Sequence, residues 1–451
     1  MTRALGHLRP PRPPCWPAGS WLVGGAVRDL LLEMRPTDFD FITPDPRGAA
    51  MECARASGGS AFPLDEERGH WRVVADDGAS YDFAPLAAGL TADLQRRDYT
   101  ANALALNLHG ALFGLDGALT DLRGRILRAL SRENLEADPL RPLRGWRLWV
   151  THGLRPEPRT RRWIVELARS QRFGRQPAAE RVREELERVL RHPRAAWGFA
   201  KLHELELAQT YLREWAAGAG VAQLGYHHLD VLGHELEALW QLSWRFPQAS
   251  LALRWAALLH DMAKPLVRQW DEARGYYRFF DHDEDGAALA GVVLRRLRCG
   301  SACVRRVQAL VRHHMRLPPE SPRGLRRWLL RYRELLPDLI ELQIADRAAS
   351  RGPLARGGSE RIRTLYAAHE AARDFMGAPR PRPLLNGSEV MRVLGLEPGP
   401  LVGRALRALE EAQVLGDVKD REAAEAFVRW WYETKTTAVE HTRDPGGHRS
   451  E

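Results

Sequence analysis

Cysteine is scarce in this chain: four occur in 451 residues, at positions 15, 53, 299 and 303, and no spacing makes a framework. Cys299 and Cys303 lie four apart, which is not a zinc pattern, so they read as core or surface thiols of a reducing compartment. Long apolar runs are missing too. No segment approaches the roughly 20 residues needed to cross a bilayer, and the Pro/Arg-rich N-terminus lacks the apolar stretch of a signal peptide. A cytoplasmic location without membrane contact is expected. Lysine is also rare: the chain has 67 basic residues, nearly all arginine, against 58 acidic ones, for a net charge of +9 and a pI near 9.7. Such a balance favours an anionic partner, nucleic acid first, although an arginine bias is also a genomic trait.

At 451 residues the chain exceeds one ordinary domain, and 44% hydrophobic content supports real cores, so three or four modules are expected. The run from Leu22 to Phe41 reads as a strand, a two-glycine turn, a short helix and a second strand carrying Asp38 and Asp40. Strand side chains alternate faces, so Asp38 and Asp40 share one face while Phe39 and Phe41 take the other. Two adjacent carboxylates repel, and a divalent cation relieves them. Gly24 and Gly25 let the backbone approach a ligand, and the helix after them offers free N–H groups to a phosphate. Arg28 lies one turn in, within reach of a triphosphate. Taken singly these are a solvated acidic face and a simple turn. Their order and spacing point instead to Mg²⁺-dependent nucleotidyl transfer.

Downstream, WRVVADD and SYDFAPL read as two strands joined by an Asp-Gly turn. Asp82 alternates with Tyr81 and Phe83, so it is a candidate third carboxylate beside Asp38 and Asp40. The stretch DLQRRDYTANALALN then sets Arg96 and Arg97 side by side as planar donors suited to a triphosphate. Asp98 in that stretch reads equally as a helix cap.

These stretches resemble the class II tRNA nucleotidyltransferase and poly(A) polymerase family of polymerase-beta-like nucleotidyltransferases. The pattern GGxVRD followed by DxD is matched by Gly24, Gly25, Val27, Arg28, Asp29, Asp38 and Asp40, and DLxRRDFTINALA by Arg96, Arg97, Asp98 and Asn102. A third motif is matched at Asp121 and Leu122, with Gly114 where an acidic residue is usual. The resemblance implies two Mg²⁺ ions on the catalytic carboxylates Asp38 and Asp40, with Asp82 as the third. It also implies contacts from Arg28, Arg96, Arg97, Asp98 and Asn102 to ribose and triphosphate.

The segment EADPLRPLRGWRLWV resembles the base-selecting motif EDxxR through Asp138 and Arg141, with Ala137 in place of the glutamate. At i and i+3 on a helix the two would face one way and imitate a Watson–Crick partner for cytosine or adenine. Asp-Pro is equally an ordinary helix start, which would leave Arg141, Arg144 and Arg147 on a solvated face. Both readings stay open, with Arg144 and Arg147 as further nucleotide-binding candidates. The stretch from Tyr81 to Asp93 is short. Family members that add the full CCA usually carry a long loop here, and the shortened form resembles enzymes restricted to adding CC.

Farther on stand YHHLDVLGHELEAL, ALLHDMAKP, FFDHDEDGA, VRHHMR and IADRA. Imidazoles with carboxylates suit divalent transition metals. His227, His260, Asp261 and Asp346 resemble the HD metal-dependent phosphohydrolase superfamily. His282 and either His313 or His314 could complete a second metal position, and Lys264 could hold a phosphate. The implied metal is Ni, Mn, Co or Fe, or Mg²⁺, and the implied substrates are 2′-, 3′- or cyclic 2′,3′-phosphates at RNA ends.

The expected fold is α+β: a small polymerase-beta-like nucleotidyltransferase α/β head, then an elongated, all-helical neck, HD domain and tail. Expected boundaries are a flexible N-terminus at 1–19, the head at 20–125 and a neck for nucleobase selection and RNA binding at 126–215. The HD domain follows at 220–350, a linker at 351–383, a tRNA-binding tail at 384–440 and a disordered end at 441–451. The expected activity is template-independent addition of C74–C75, with A76 left open, to tRNA from CTP and ATP. A separate A-adding enzyme is an expected partner if the chain stops at CC. The rivals are a poly(A) polymerase and an HD phosphohydrolase whose head only binds RNA.

Overall fold

The computed structural model describes residues 2–7, 16–36, 38–86, 88–170, 177–355, 357–379 and 382–440; the expected disordered end lies outside them. The chain divides into two compact units, Met1–Ala219 with Val292–Ser301, and Gly220–Gly291 with Ala302–Glu451.

The first unit opens on an eight-stranded sheet: β1 (Thr2–His7), β2 (Trp21–Val23), β3 (Asp38–Thr43), β4 (Ser60–Asp65), β5 (His70–Val74), β6 (Ser80–Pro85), β7 (Leu104–Asn107) and β8 (Ala111–Leu115), in the order β1-β8-β7-β2-β3-β6-β5-β4. Every neighbouring pair is antiparallel except β3 and β6. A parallel pair needs a crossover, here built from α2 (Pro46–Ser57) and the β4–β5 hairpin. Asp45 starts α2 by accepting a hydrogen bond from the Gly48 amide at 2.9 Å. β1 pairs with β8, so residues 2–7 of the expected flexible N-terminus form a strand that satisfies the β8 backbone. Along β3 only Phe41, Ile42 and Thr43 are buried, and Asp38 and Asp40 are left at the open end.

Around the sheet lie α1 (Gly25–Leu31), α3 (Gly89–Gln95), a 3₁₀ turn at Thr100–Asn102 and α4 (Ala118–Arg123). Helices α5 (Arg132–Ala137), α6 (Leu140–His152), α7 (Pro158–Ser170), α8 (Ala179–Leu190), α9 (Ala195–Glu204), α10 (Leu207–Tyr211) and α11 (Arg213–Ala216) complete the first unit. This part is not all helical, because β9 (Ile126–Leu127) and β10 (Arg155–Pro156) pair in parallel. Trp146 anchors α6: its ring is fully buried edge-on to Phe199, and its indole N–H donates to the Gly198 carbonyl at 2.6 Å.

The second unit contains α12 (Val231–Arg245), α13 (Leu251–Leu259), α14 (Lys264–Val267), the hairpin β11 (Arg268–Asp271) and β12 (Tyr276–Phe279), and the start of α15 (His282–Arg296). Then come α16 (Ser301–His313), α17 (Pro322–Arg331), α18 (Asp338–Ala349), α19 (Gly358–Gly377), α20 (Gly387–Leu394), α21 (Pro400–Leu415) and α22 (Arg421–Glu440). The β11–β12 hairpin again departs from an all-helical expectation. The expected linker at 351–383 is largely α19, whose Leu365, Ala368 and Ala372 recur at helical spacing, are buried and pack toward α18. In the tail Asn386 and Glu389 form a reciprocal cap at the start of α20, over a core that includes Leu385, Val390, Val402 and Leu409.

One close approach ties α6 to the RRDY segment. Tyr99 is fully buried, and its hydroxyl donates to the Arg141 carbonyl at 2.7 Å. A Cβ on Gly145 would stand 2.1 Å from that hydroxyl oxygen. Gly145→Ala gains up to about 1 kcal/mol of helix propensity, but displacing Tyr99 costs about 1–3 kcal/mol. A net loss of stability is expected, read as a lower urea midpoint for the first unit. An unchanged or raised midpoint would show that Tyr99 is not held there.

Candidate functional site

In the first unit the β3–β6 register sets Asp40 opposite Asp82 and Asp38 opposite Ser80. All three carboxylates line one cleft of about 1360 Å³. Arg72, across the sheet on β5, grips Asp82 with two bonds of 2.6 Å each. Asp38 accepts from the Ser80 hydroxyl at 3.0 Å and is well exposed. Asp40 is open to water but lies on the cleft floor. Burial there raises its pKa, Arg97 opposes the shift, and Asp82 and Asp38 reinforce it. Three hard oxygen donors on one face, with no cation among the described residues closer than 3.8 Å to Asp38 or Asp40, suit a divalent cation.

Arg97 occupies the space beside Gly24. Gly24 has φ +72°, and a Cβ there would lie 2.2 Å from an Arg97 guanidinium nitrogen, so glycine serves both the turn and the arginine. Arg97 is held by two bonds to Asp93, at 2.9 and 3.1 Å, and the exposed Arg96 by one at 3.2 Å. Arg28 is buried rather than free to extend: it donates to Asn102 at 2.6 Å and to Asp29 at 2.8 Å. Asn102 in turn donates to Asp98 at 2.8 Å, and Asp98 accepts from Arg144 at 3.1 Å. Burial alone would lower Arg144, but Asp98 and Glu185 outweigh it and raise its pKa. Arg147 is buried against Glu185. Asp121 accepts from Thr100 and Arg128, each at 2.9 Å, and so braces the 3₁₀ turn from below.

Asp138 is not on the helix with Arg141. It ends α5 in an extended conformation (φ −140°, ψ 111°) before α6 starts, because the residue preceding a proline is driven out of the helical region. Its oxygens accept from the Leu140 amide at 3.0 Å and Arg181 at 2.9 Å. Arg141 instead donates to the Asn134 carbonyl at 2.7 Å and lines the cleft with Arg144. The sequence reading missed Arg72, Arg181, Glu185 and Arg188. The last three recur at i, i+4 and i+7 on α8 and all line the cleft. That helical period was the available signal.

The second unit gathers a separate cluster. His234 Nε2 lies 2.9 Å from Asp346, 3.5 Å from Asp261 and 3.3 Å from His260 Nε2. Asp261 also meets Lys264 at 2.6 Å, His282 at 3.5 Å and His314 at 3.8 Å. His234, and not the expected His227, is the inward imidazole. His227 stands behind it, its Nδ1 at 3.3 Å from His234 Nδ1. The reason is position: His234 lies on the first turn of α12, capped by Asp230, whereas His227 precedes the cap. His314 joins the cluster and is buried; His313 turns away to pack on Tyr332. His260, His282 and His314 each place Nδ1 against a backbone carbonyl three residues back, of Ala257, Phe279 and Val311, at 3.1, 2.7 and 2.6 Å. A carbonyl only accepts, so each Nδ1 carries the hydrogen and Nε2 is turned toward Asp261, the arrangement of metal-binding histidines.

Two groups, His234–His260–Asp261 and Asp261–His282–His314, have the compactness to hold a cation. Asp261 Oδ1 and His282 Nε2 are buried and, among the described residues, have no hydrogen-bond partner, which fits ions at that point. Burial keeps His314 low, at about 4, so its imidazole is neutral at pH 7. Unforeseen from sequence, Gln223 accepts from Lys264 at 2.6 Å, and the buried Glu235 accepts from the Asp261 amide at 3.2 Å.

Comparison with known proteins places these parts. Residues 20–86 match the family described as the poly A polymerase head domain, 153–218 the "probable RNA and SrmB-binding site of polymerase A", and 219–350 the HD domain. An A-adding tRNA nucleotidyltransferase of Deinococcus radiodurans is 47% identical over 94% of this chain and 98% of its own length. A CC-adding tRNA nucleotidyltransferase of Thermus thermophilus is 47% identical over 92% and 94%. The solved structure of the Bacillus stearothermophilus CCA-adding enzyme in complex with CTP is 22% identical, covers 93% of this chain and 94% of its own, and superposes with TM-score 0.61, a likeness of fold. Among the described residues no helix is long and apolar enough to cross a membrane.

His152 closes the Arg28 network, with Nε2 at 3.1 Å from Asp29. Burial lowers its pKa, the Asp29 bond opposes this, and Arg28 lowers it further. The folded state therefore holds His152 neutral where the unfolded chain, below about pH 6.5, takes up a proton. Stability is present above that pH and falls as the pH drops toward the folded pKa, by up to roughly 1.4 kcal/mol per pH unit. Between pH 7.5 and 5.5, His152→Gln is expected to lose less urea stability than the parent. Equal losses would refute the assignment.

Proposed function

The chain belongs to the class II tRNA nucleotidyltransferase and poly(A) polymerase family and is a nucleotidyltransferase, and from that premise we propose that it extends tRNA 3′ ends by adding two cytidines from CTP. The observation that supports the chemistry is the convergence of Asp38, Asp40 and Asp82 on one cleft floor with Arg97 and Arg144 around it. Asp38 and Asp40 would hold Mg²⁺, whose chemistry there is activation of the tRNA 3′-hydroxyl and neutralisation of the triphosphate. Arg72 fixes Asp82, Arg96 and Arg97 would meet the phosphates, and the Arg28–Asn102–Asp98–Arg144 chain would set the cleft wall so that positioning accounts for much of the rate. Addition of CC alone is supported by the β6–α3 connection, which is only three residues, 86–88. The Deinococcus relative is named for adding A, so the assignment needs a direct test.

The test offers the protein, with Mg²⁺, tRNA transcripts that lack CCA, that end in one C, and that end in CC, with labelled CTP or ATP. Two cytidines and no adenosine are expected. One adenosine added to the CC transcript alone would reassign the chain to A addition, and long A tracts would make it a poly(A) polymerase. Asp38→Ala combined with Asp40→Ala should lower incorporation by roughly 10³-fold or more; unchanged incorporation would remove the head from the chemistry.

The second cluster supports a hydrolytic activity in the same chain. His234, His260, Asp261 and Asp346 would hold one divalent transition-metal ion, and Asp261, His282 and His314 a second, lowering the pKa of a bound water. Hydrolysis of phosphates at RNA ends is expected with added Ni²⁺ or Mn²⁺, to persist in the Asp38/Asp40 variant, and to fall in His234→Ala but not in His313→Ala. The reverse order of those two histidines would remove His234 from the metal site and put His313 in it.

A further inference from the structure

The β11–β12 hairpin links α14 to α15, and its two ends are tied to the second cluster. Its register pairs Arg268 with Phe279 and Trp270 with Tyr277, so these four side chains share one face. Trp270 is 50% exposed and meets Tyr277 edge-on at 4.8 Å. The Arg268 guanidinium lies 3.6 Å over the Tyr277 ring, and its buried Nε has no hydrogen-bond partner among the described residues. Next along the face, Phe279 lies 5.3 Å from Lys264 Nζ, and Lys264 is the residue 2.6 Å from Asp261. The Phe279 carbonyl also fixes Nδ1 of His282. A track of three aromatic rings, the inner two each with a cation beside it, thus runs from the half-exposed Trp270 to the cluster.

Isolated surface aromatics need no explanation. Rings alternating with cations are different, because bases stack on rings while the cations attract phosphate, the pairing used to hold single-stranded nucleic acid. We infer that this hairpin face is a stacking platform for the nucleobase of the substrate whose phosphate ester the cluster hydrolyses. The inference rests on the hydrolytic reading above and adds to it the recognition of a base by this hairpin. In that reaction water adds to phosphorus, the P–O bond to ribose breaks, and the released ribose oxygen takes a proton from the water. Trp270 and Tyr277 touch the base and set specificity; Lys264 spans the gap between platform and Asp261.

The full-length protein with Mn²⁺ would be assayed on adenosine 3′-monophosphate and on glycerol 2-phosphate, which has no base. Calorimetry would give affinities for adenosine 3′-monophosphate and inorganic phosphate. Trp270→Ala and Tyr277→Ala should each raise KM for the nucleotide about 10-fold, with kcat and glycerol 2-phosphate hydrolysis unchanged. Nucleotide affinity should fall toward that of phosphate, and Trp270→Phe should restore it. Equal losses on both substrates, or nucleotide binding unchanged in both alanine variants, overturns the platform. If the parent hydrolyses neither substrate yet nucleotide binding still depends on Trp270, the hydrolytic reading falls and the platform stands.

Discussion

The first unit depends on one constraint: β3 and β6 run parallel and in register, so Asp40 faces Asp82 with Asp38 one pleat away. Strands lie about 4.8 Å apart, and at that distance two carboxylates repel by roughly 3 kcal/mol at an effective dielectric near 20. The fold does not relieve this by separating them. It surrounds them with guanidinium groups, Arg72 on Asp82 and Arg97 and Arg144 nearby, and among the described residues leaves Asp38 with Arg188 no nearer than 3.8 Å and Asp40 with no ion-pair partner. The arginines are themselves pinned by Asp93, Asp98 and Glu185. A cleft lined by ten arginines and eight carboxylates is therefore prearranged rather than simply basic, and an entering triphosphate with its cation completes a charge pattern already in place.

The second unit meets a similar problem with softer groups and less water. Around Asp261 the donors are imidazole nitrogens, and four of the residues, His234, His260, Asp261 and His314, are almost wholly buried. Asp261 and Asp346 are both held below the ordinary carboxylate range because nearby histidines, with Lys264 beside Asp261, outweigh burial, while the buried Glu235 beside Asp261 is pushed up by burial and by that neighbour. The i−3 carbonyl bonds of three histidines supply orientation that carboxylates in the head obtain from arginines. Oxygen donors in an open cleft and nitrogen donors in a buried one suit different cations.

Much of this was legible in the chain, and the failures share a cause. Alternation along β3 placed Asp38 and Asp40 together, and Asp82 followed from alternation along β6. That the two strands are parallel neighbours is a long-range pairing no local period reports, whereas Arg72 stands opposite Asp82 in the β5–β6 hairpin that the Asp-Gly turn announced, and its register was not followed through. For Asp138 two readings stood open, a helical position in line with Arg141 and a place at an Asp-Pro helix start, and Pro139 forbids the first. His227 and His234 stand in one run, and choosing between them required the start of α12, which the Asp230 cap marks. His313 and His314 differ only by where α16 ends. The helix at 358–377 was taken for a linker because Gly, Arg and Pro around it masked the spacing of Leu365, Ala368 and Ala372.

If Asp138 and Arg141 were to choose the base in the proposed reaction, the hydrogen-bonding groups they keep free among the described residues would constrain that choice. Asp138 has both oxygens bonded once, by Leu140 and Arg181, and each retains a lone pair. Arg141 spends one of its five N–H groups on the Asn134 carbonyl. The pair can therefore accept one bond and donate two. Cytosine offers the complement on its pairing edge, an amino donor beside two adjacent acceptors, N3 and O2. Adenine offers a donor beside N1 alone, so one arginine N–H would be left unmet, at a cost of about 1–3 kcal/mol if desolvated. That is a factor of roughly 5 to 150 in selection, set by counting donors rather than by reading a template. Adding adenosine at this site would need a further acceptor, and a connection of three residues after β6 leaves little chain nearby to bring one in.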